Sequence, residues 1–268
     1  KMKRENEIKD FVQKDTLVLS IAAGISIKTI QEILGDVAVI RIMPNTPALV
    51  NEGMSAICKA DNVIDEQVER KEILRRYKHI IRVVSNHATN LEKRLIRKAF
   101  TVAMNAHSGV RRKTGEPYIY HPLEVARIAA EDLGLGATAV VCAFLHDVVE
   151  DTEYTLEDIA HIFDAKVAQI IDGLTKIEGV FDYTTNSIQS ENFKKLLTAM
   201  GDDVRVILLK LCDRLHNMRT LDSMPNHKQL KIASETQQLY VPLAHRLGLY
   251  KIKSELEDLA TKYINPKA

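Results

Sequence analysis

The feature that most restricts the fold of this chain is a change of periodicity part-way along it. Through residue 57, short β-branched runs alternate with one amphipathic stretch: TLVLSIAAG (16–24), IKTIQEILG (27–35) and VAVIRIMPNTPA (37–48). Runs of that kind, closed by small residues, by Gly35 and by Pro44, predict a strand, helix, strand unit suited to a parallel sheet. From about residue 66 the pattern turns helical, with apolar residues three and four apart, as in Leu91, Leu95, Ala99, Val102 and Ala103. Loops are expected where Pro and Gly gather, at 109–122, 173–179 and 224–227. The expected fold is mainly α, preceded by a short partial α/β segment. The junction is placed within residues 60–72, and the domains are drawn as 1–65 and 66–268.

Composition narrows the function classes. Lys and Arg number 37 against 36 Asp and Glu, a balance that argues against bulk electrostatic binding to nucleic acid or to an anionic membrane and leaves small ligands open. Cys58, Cys142 and Cys212 form no CxxC pair, so they read as buried thiols of a reducing cytoplasm. The apolar runs at 17–25 and 139–145 fall short of the roughly 18 residues a spanning helix needs. The first residues, KMKRENEIKDF, lack a signal-peptide apolar region.

Three segments carry chemistry. In AVVCAFLHDVVEDT (139–152) an apolar helix abruptly acquires His146, Asp147, Glu150 and Asp151. Read as one helix, it stacks His146 under Glu150 and Asp147 under Asp151. A solvated helix end is the plain alternative, but carboxylates at a C-terminus oppose the macrodipole unless a cation offsets them. In VRVILLKLCDRLHNMRTLDSM (204–224) an apolar stripe surrounds Asp213, with Asn217 and Thr220 on the same face beside His216. Asp213 needs a partner there, either a metal ion or an ion pair with Arg214 or Arg219. The third segment, VRRKTGEPYIYHP (110–122), is a basic loop with tyrosines that ends in His121. Its Arg111, Arg112 and Lys113 are either a solvated face or a grip on a phosphorylated nucleotide.

Together His121, His146, Asp147 and Asp213 make a mixed nitrogen and oxygen donor set suited to Mn²⁺, Fe²⁺ or Zn²⁺. A divalent cation there would bring water toward neutral pKa and stabilise phosphoryl charge, with Glu150 and Asp151 placed to shuttle a proton. Hydrolysis of a phosphate ester is the chemistry expected of such a set.

An isolated His, an adjacent His-Asp pair and a distant Asp resemble the signature of the HD phosphohydrolase superfamily. RRKTGEPYIYHPLEVA, FLHDVVEDT and LLKLCDRLHNMRTL resemble, more narrowly, the hydrolase domain of the RelA/SpoT homologues of the stringent response, over residues 66 to 268. The resemblance implies an all-helical HD-domain metallophosphohydrolase, a guanosine-3′,5′-bis(diphosphate) 3′-pyrophosphohydrolase. Its substrates would be ppGpp and pppGpp, and its products GDP or GTP plus pyrophosphate. It further implies Mn²⁺ held by His121, His146, Asp147 and Asp213, catalytic roles for Glu150 and Asp151, guanosine contacts from Arg112 and Lys113, and ligand contacts from Thr114, Asn217 and Thr220. HDVVED stands complete, which implies an active hydrolase. The chain stops about where the family's synthetase domain would begin, so no alarmone synthesis is expected of it.

The first 60 residues resemble something else. SIAAGISIKTI and RIMPNTPALVNEGMSAI are similar to the distal part of the NADPH-binding domain of pyrroline-5-carboxylate reductase, a resemblance that implies a partial Rossmann-like segment. The sequence has no GxGxxG turn, and a dinucleotide pyrophosphate needs one. Gly24, Pro44, Asn45 and Thr46 match that pattern and are given no working role. The alternatives to a hydrolase are a guanine-nucleotide module that senses without turnover, and a reductase fragment.

Overall fold

A computed structural model describes residues 12–13, 16–21, 25–44, 55–59, 65–181 and 203–265, without the side chains of 43–44, 55–59, 65–67 and 177–181. Contacts divide the chain into two units, Lys1–Glu72 and Ile73–Ala268.

In the first unit, strand β1 (Leu17–Ser20) pairs in parallel with β2 (Ala38–Pro44), with Leu17 opposite Ala38. Helix α1 (Ile27–Leu34) joins them. Ser26 Oγ caps its start by accepting from the Thr29 amide at 3.0 Å, and Gly35, at φ +88°, takes the chain out of the helix in a conformation that only glycine adopts freely. Ile30 and Leu34, one turn apart, bury against Val37, Val39 and Ile40. The sheet is mixed rather than wholly parallel, because β3 (Ser55–Lys59) adds antiparallel to β2 with Ile42 opposite Ile57. Its sequence, SAICK, holds a single β-branched residue, too little alternation to read as a strand. Among the described residues the two predicted strands cover Leu17–Ser20 and Ala38–Pro44. Residues 22–24 and 45–48, and with them Gly24, Asn45 and Thr46, lie outside the described residues.

Helix α2 (Asp65–Val84) runs through the division between the units. The second unit continues with α3 (Asn90–Ala106), α4 (Tyr120–Arg127) extended by a π-helical turn at Ile128–Asp132, α5 (Ala137–Leu145) and the single turn α6 (Val148–Asp151). Then come α7 (Leu156–Ile162), α8 (Ala165–Phe181), α9 (Val204–Arg219), α10 (Asn226–Glu235), α11 (Val241–Arg246) and α12 (Tyr250–Ile264). Capping boxes start two of them, Thr89 with Glu92 on α3 and Thr155 with Asp158 on α7.

The central helix is α5, apolar on every side, which buries all its residues but Thr138. A helix of that composition is stable only inside a protein, and α3, α4, α8 and α9 pack against it. Phe144 lies edge-on to Phe100 at 5.7 Å, and Phe100 stacks on Tyr77 at 4.3 Å. Each fully buried side chain of this size contributes about 1.5–3 kcal/mol. Cys142 and Cys212 are buried free thiols, and burial pushes Cys142 up to about 12.

The expected loop at 173–179 is a correction: α8 passes straight through it. Gly173 serves packing, not turning. A Cβ there would sit 2.9 Å from Val206 Cγ2 on α9, so glycine lets the two helices approach. Among the described residues no helix is long and apolar enough to cross a membrane.

Candidate metal centre and nucleotide cavity

The His146-Asp147 pair sits at a break, not inside one helix as the sequence suggested. Leu145 ends α5, His146 is its C-cap and Asp147 is the N-cap of α6. Asp147 thus precedes the single turn α6, and Glu150 and Asp151 are the last two residues of that turn. A single turn carries too small a dipole to favour either sign of charge, so the case for a cation rests on the donor set.

His121 enters from the first turn of α4, where Pro122 costs no helical hydrogen bond. Asp213 enters from the middle of α9 and receives a hydrogen bond from Asn217 Nδ2, one turn on, at 2.6 Å. His121 Nε2 then lies 3.1 Å from His146 Nε2, 3.2 Å from Asp213 Oδ1 and 3.5 Å from Asp147 Oδ2. Asp147 Oδ1 is 3.1 Å from His146 Nε2. Four predicted side chains from three segments converge, and both imidazoles are buried.

The hydrogen-bond network assigns the ring tautomers. His146 Nδ1 faces the Ala143 carbonyl at 2.8 Å. A carbonyl only accepts, so Nδ1 carries the hydrogen and Nε2 of the neutral ring carries the lone pair. His121 Nδ1 lies 2.7 Å from His216 Nδ1, which also faces Arg112 Nη1 at 3.1 Å. Arginine has no acceptor, so His216 Nδ1 accepts, His121 Nδ1 donates, and His121 Nε2 is likewise a lone pair. Two lone pairs 3.1 Å apart, flanked by two carboxylates, cannot bond to one another. That donor set fits a divalent cation, and among the described residues His121, His146 and Asp213 are grouped closely enough to hold one.

Burial lowers the His121 ring and takes His216 down to about 2, with His121 and Arg112 adding to the shift. Both are neutral at working pH. Burial raises Asp213, but Lys210, 3.5 Å away, outweighs it and holds the carboxyl well below the usual range. Burial likewise raises Asp147, and the neighbouring histidines bring it below its ordinary value. Neither arginine weighed for Asp213 pairs with it in the structure. Arg214 hydrogen-bonds Tyr240 at 3.0 Å and Arg219 meets Glu255 at 2.6 Å.

A cavity of about 680 Å³ opens onto this centre. His121, Asp147 and Asp213 line it, and so do Glu150, Asp151, Arg112, Lys113, Asn217 and Thr220. The basic loop reaches it as a tight turn: the Gly115 amide bonds the Arg112 carbonyl at 2.9 Å, with Gly115 at φ +86°. Arg112 Nη2 donates to Asn217 Oδ1 at 3.0 Å and to Thr220 Oγ1 at 3.4 Å. Thr114 stands apart, exposed, with its hydroxyl 3.5 Å from Glu116. Sequence reasoning missed His216 as the acceptor behind His121, and Tyr118, Lys228 and Lys231 on the cavity lining. For His216 the one available signal was its place three residues after Asp213.

Fold and site together define a helical protein built around a His/Asp metal-binding centre. The chain belongs to the HD domain family, whose model matches residues 99–250. The GTP pyrophosphokinase rsh of Brucella ovis is 42% identical over 196 residues, 73% of this chain and 26% of the relative. The guanosine-3′,5′-bis(diphosphate) 3′-pyrophosphohydrolase of Haemophilus influenzae is 50% identical over 165 residues, 62% of this chain and 24% of the relative. This chain therefore spans about a quarter of the length of those relatives. A solved structure, described as a metazoan orthologue of SpoT that hydrolyses ppGpp, aligns with a TM-score of 0.49 and 20% identity, covering 68% of this chain and 98% of that one.

Proposed function

We propose that this chain is a metal-dependent hydrolase that removes the 3′-pyrophosphate of guanosine alarmones, converting (p)ppGpp to GDP or GTP plus pyrophosphate, with Mn²⁺ as its ion. The observation that carries the reading is the approach of His121 Nε2 and His146 Nε2 to 3.1 Å, with two carboxylates beside them, on a cavity that also presents Arg112 and Lys113. The name of the Haemophilus influenzae relative supports the substrate.

His121, His146, Asp147 and Asp213 would hold the ion. When bound it supplies Lewis acidity toward water and toward the phosphoryl oxygens. Glu150 and Asp151, exposed on the cavity lining, take the proton from the attacking water and return it to the leaving ribose oxygen. Arg112 and Lys113 grip the guanosine nucleotide, with Asn217 and Thr220 fixing the Arg112 guanidinium from behind. Thr114, off the cavity lining, is left out of these contacts.

The test is to incubate the protein with Mn²⁺ and ppGpp, measure released pyrophosphate and identify the nucleotide product by mass spectrometry. The expected result is GDP plus pyrophosphate, lost with chelator and in Asp147→Ala. No release, or full activity in Asp147→Ala, overturns the proposal. Tight ppGpp binding without turnover favours a sensing module instead.

A further inference from the structure

Tyr118 has no part in the chemistry described so far, yet its hydroxyl touches both halves of it. It lies 2.7 Å from Asp147 Oδ2 and 2.9 Å from Asp151 Oδ2. A phenol is protonated at neutral pH and has a single hydrogen to donate, while an ionised carboxylate only accepts. The hydroxyl is therefore shared between two acids that stand in different roles. On the other side of the ring His107 stacks at 4.4 Å with an interplanar angle of 29°. His107 is buried, and its Nε2 has no hydrogen-bond partner among the described residues. An unsatisfied buried nitrogen is destabilising, so packing alone would be better served by an apolar ring.

We propose that Tyr118 is a positioning residue, and that its hydroxyl, steadied by the His107 stack, sets the angle of the Asp147 carboxylate toward the metal and tethers Asp151 beside it. The inference rests on the metal centre proposed above. Asp147 spans that centre, with Oδ1 at 3.1 Å from His146 Nε2 and Oδ2 at 3.5 Å from His121 Nε2. The Tyr118 bond holds the Oδ2 end. Without it, the carboxylate can turn about its Cβ–Cγ bond, and Asp151, exposed, loses its anchor. Groups that orient a ligand in this way typically change metal affinity by about 10- to 100-fold when removed.

The experiment titrates Mn²⁺ into metal-free protein and follows the paramagnetic resonance signal of the free aquo ion, for wild type and Tyr118→Phe. The substitution keeps the ring and the stack. The expected result is a Mn²⁺ Kd raised about 10- to 100-fold, with the melting temperature of the metal-free protein close to wild type. With ppGpp and saturating Mn²⁺, kcat falls while KM holds. His107→Ala, which removes the stack, shifts Mn²⁺ affinity in the same direction by less. Wild-type Mn²⁺ affinity in Tyr118→Phe overturns the inference whether or not ppGpp is the substrate, because the titration uses none. A wild-type protein that binds no Mn²⁺ overturns it together with the metal centre. Altered Mn²⁺ affinity in a protein inert toward ppGpp leaves this inference standing and removes only the substrate reading.

Discussion

Replacing His216 by Phe keeps the ring volume behind His121 and deletes one acceptor. In the native site His216 Nδ1 accepts from His121 Nδ1 at 2.7 Å and from Arg112 at 3.1 Å. After the change, His121 has two choices. It can leave its Nδ1–H buried without an acceptor, at a cost of about 1–3 kcal/mol. Alternatively it can move the hydrogen to Nε2, which removes the lone pair that faces the metal position. Either route weakens the metal-binding state by the cheaper of the two costs. At 1.4 kcal/mol per factor of ten, the Mn²⁺ Kd should rise about 10- to 100-fold. Isothermal titration of Mn²⁺ into chelator-treated protein measures this directly. His216→Gln, whose amide oxygen can accept, should recover part of the loss. The His216 ring is held neutral, down to about 2, by burial, by His121 and by Arg112. The effect should therefore be constant from pH 6 to 8. Wild-type Mn²⁺ affinity in His216→Phe would refute the tautomer argument. A difference that vanishes below pH 6.5 would show instead that His216 titrates.

Two further substitutions probe the scaffold. Gly173→Ala gains about 1 kcal/mol of helix propensity. It also forces a Cβ to 2.9 Å from Val206 Cγ2, on a buried β-branched residue with little rotamer freedom. Overpacking of that kind costs about 1–3 kcal/mol, so the urea midpoint should fall, and a rise would mean that α8 and α9 separate freely. Asp203 caps α9, and its carboxyl is held far below the usual range, chiefly by hydrogen bonds from Arg205 against the opposing effect of burial, with Lys166 adding to it. Its folded pKa is depressed, so its stabilisation is complete above the unfolded value of about 3.9. That stabilisation is lost as pH falls from there through the folded value. Asp203→Asn should therefore lower stability at pH 7 and flatten the acid limb below pH 4. An unchanged slope of unfolding free energy between pH 4 and pH 2 would contradict this.

The residues themselves determined the local backbone and the chemical inventory. Three-and-four spacing of apolar residues is written into the chain, because it follows from 3.6 residues per turn. So is the strand character of TLVLS and VAVIRI, and so are the words HDVVED and CDRLHN that single out His146, Asp147 and Asp213. Other features depended on which elements meet in space. Gly173 looks like a turn residue until Val206 is seen against it. SAICK becomes a strand only because β2 offers it a partner edge. The interruption between Leu145 and Val148, which sets Asp147 between two helices and Glu150 and Asp151 on a separate single turn, has no glycine or proline to announce it. His216 stands 95 residues from His121 and Tyr118 stands 29 from Asp147. Spacing along a helix reports neighbours three and four apart and nothing about such pairs. Which ring nitrogen keeps its lone pair, and which carboxylate oxygen is held, was decided only when packing brought α4, α6 and α9 around one point.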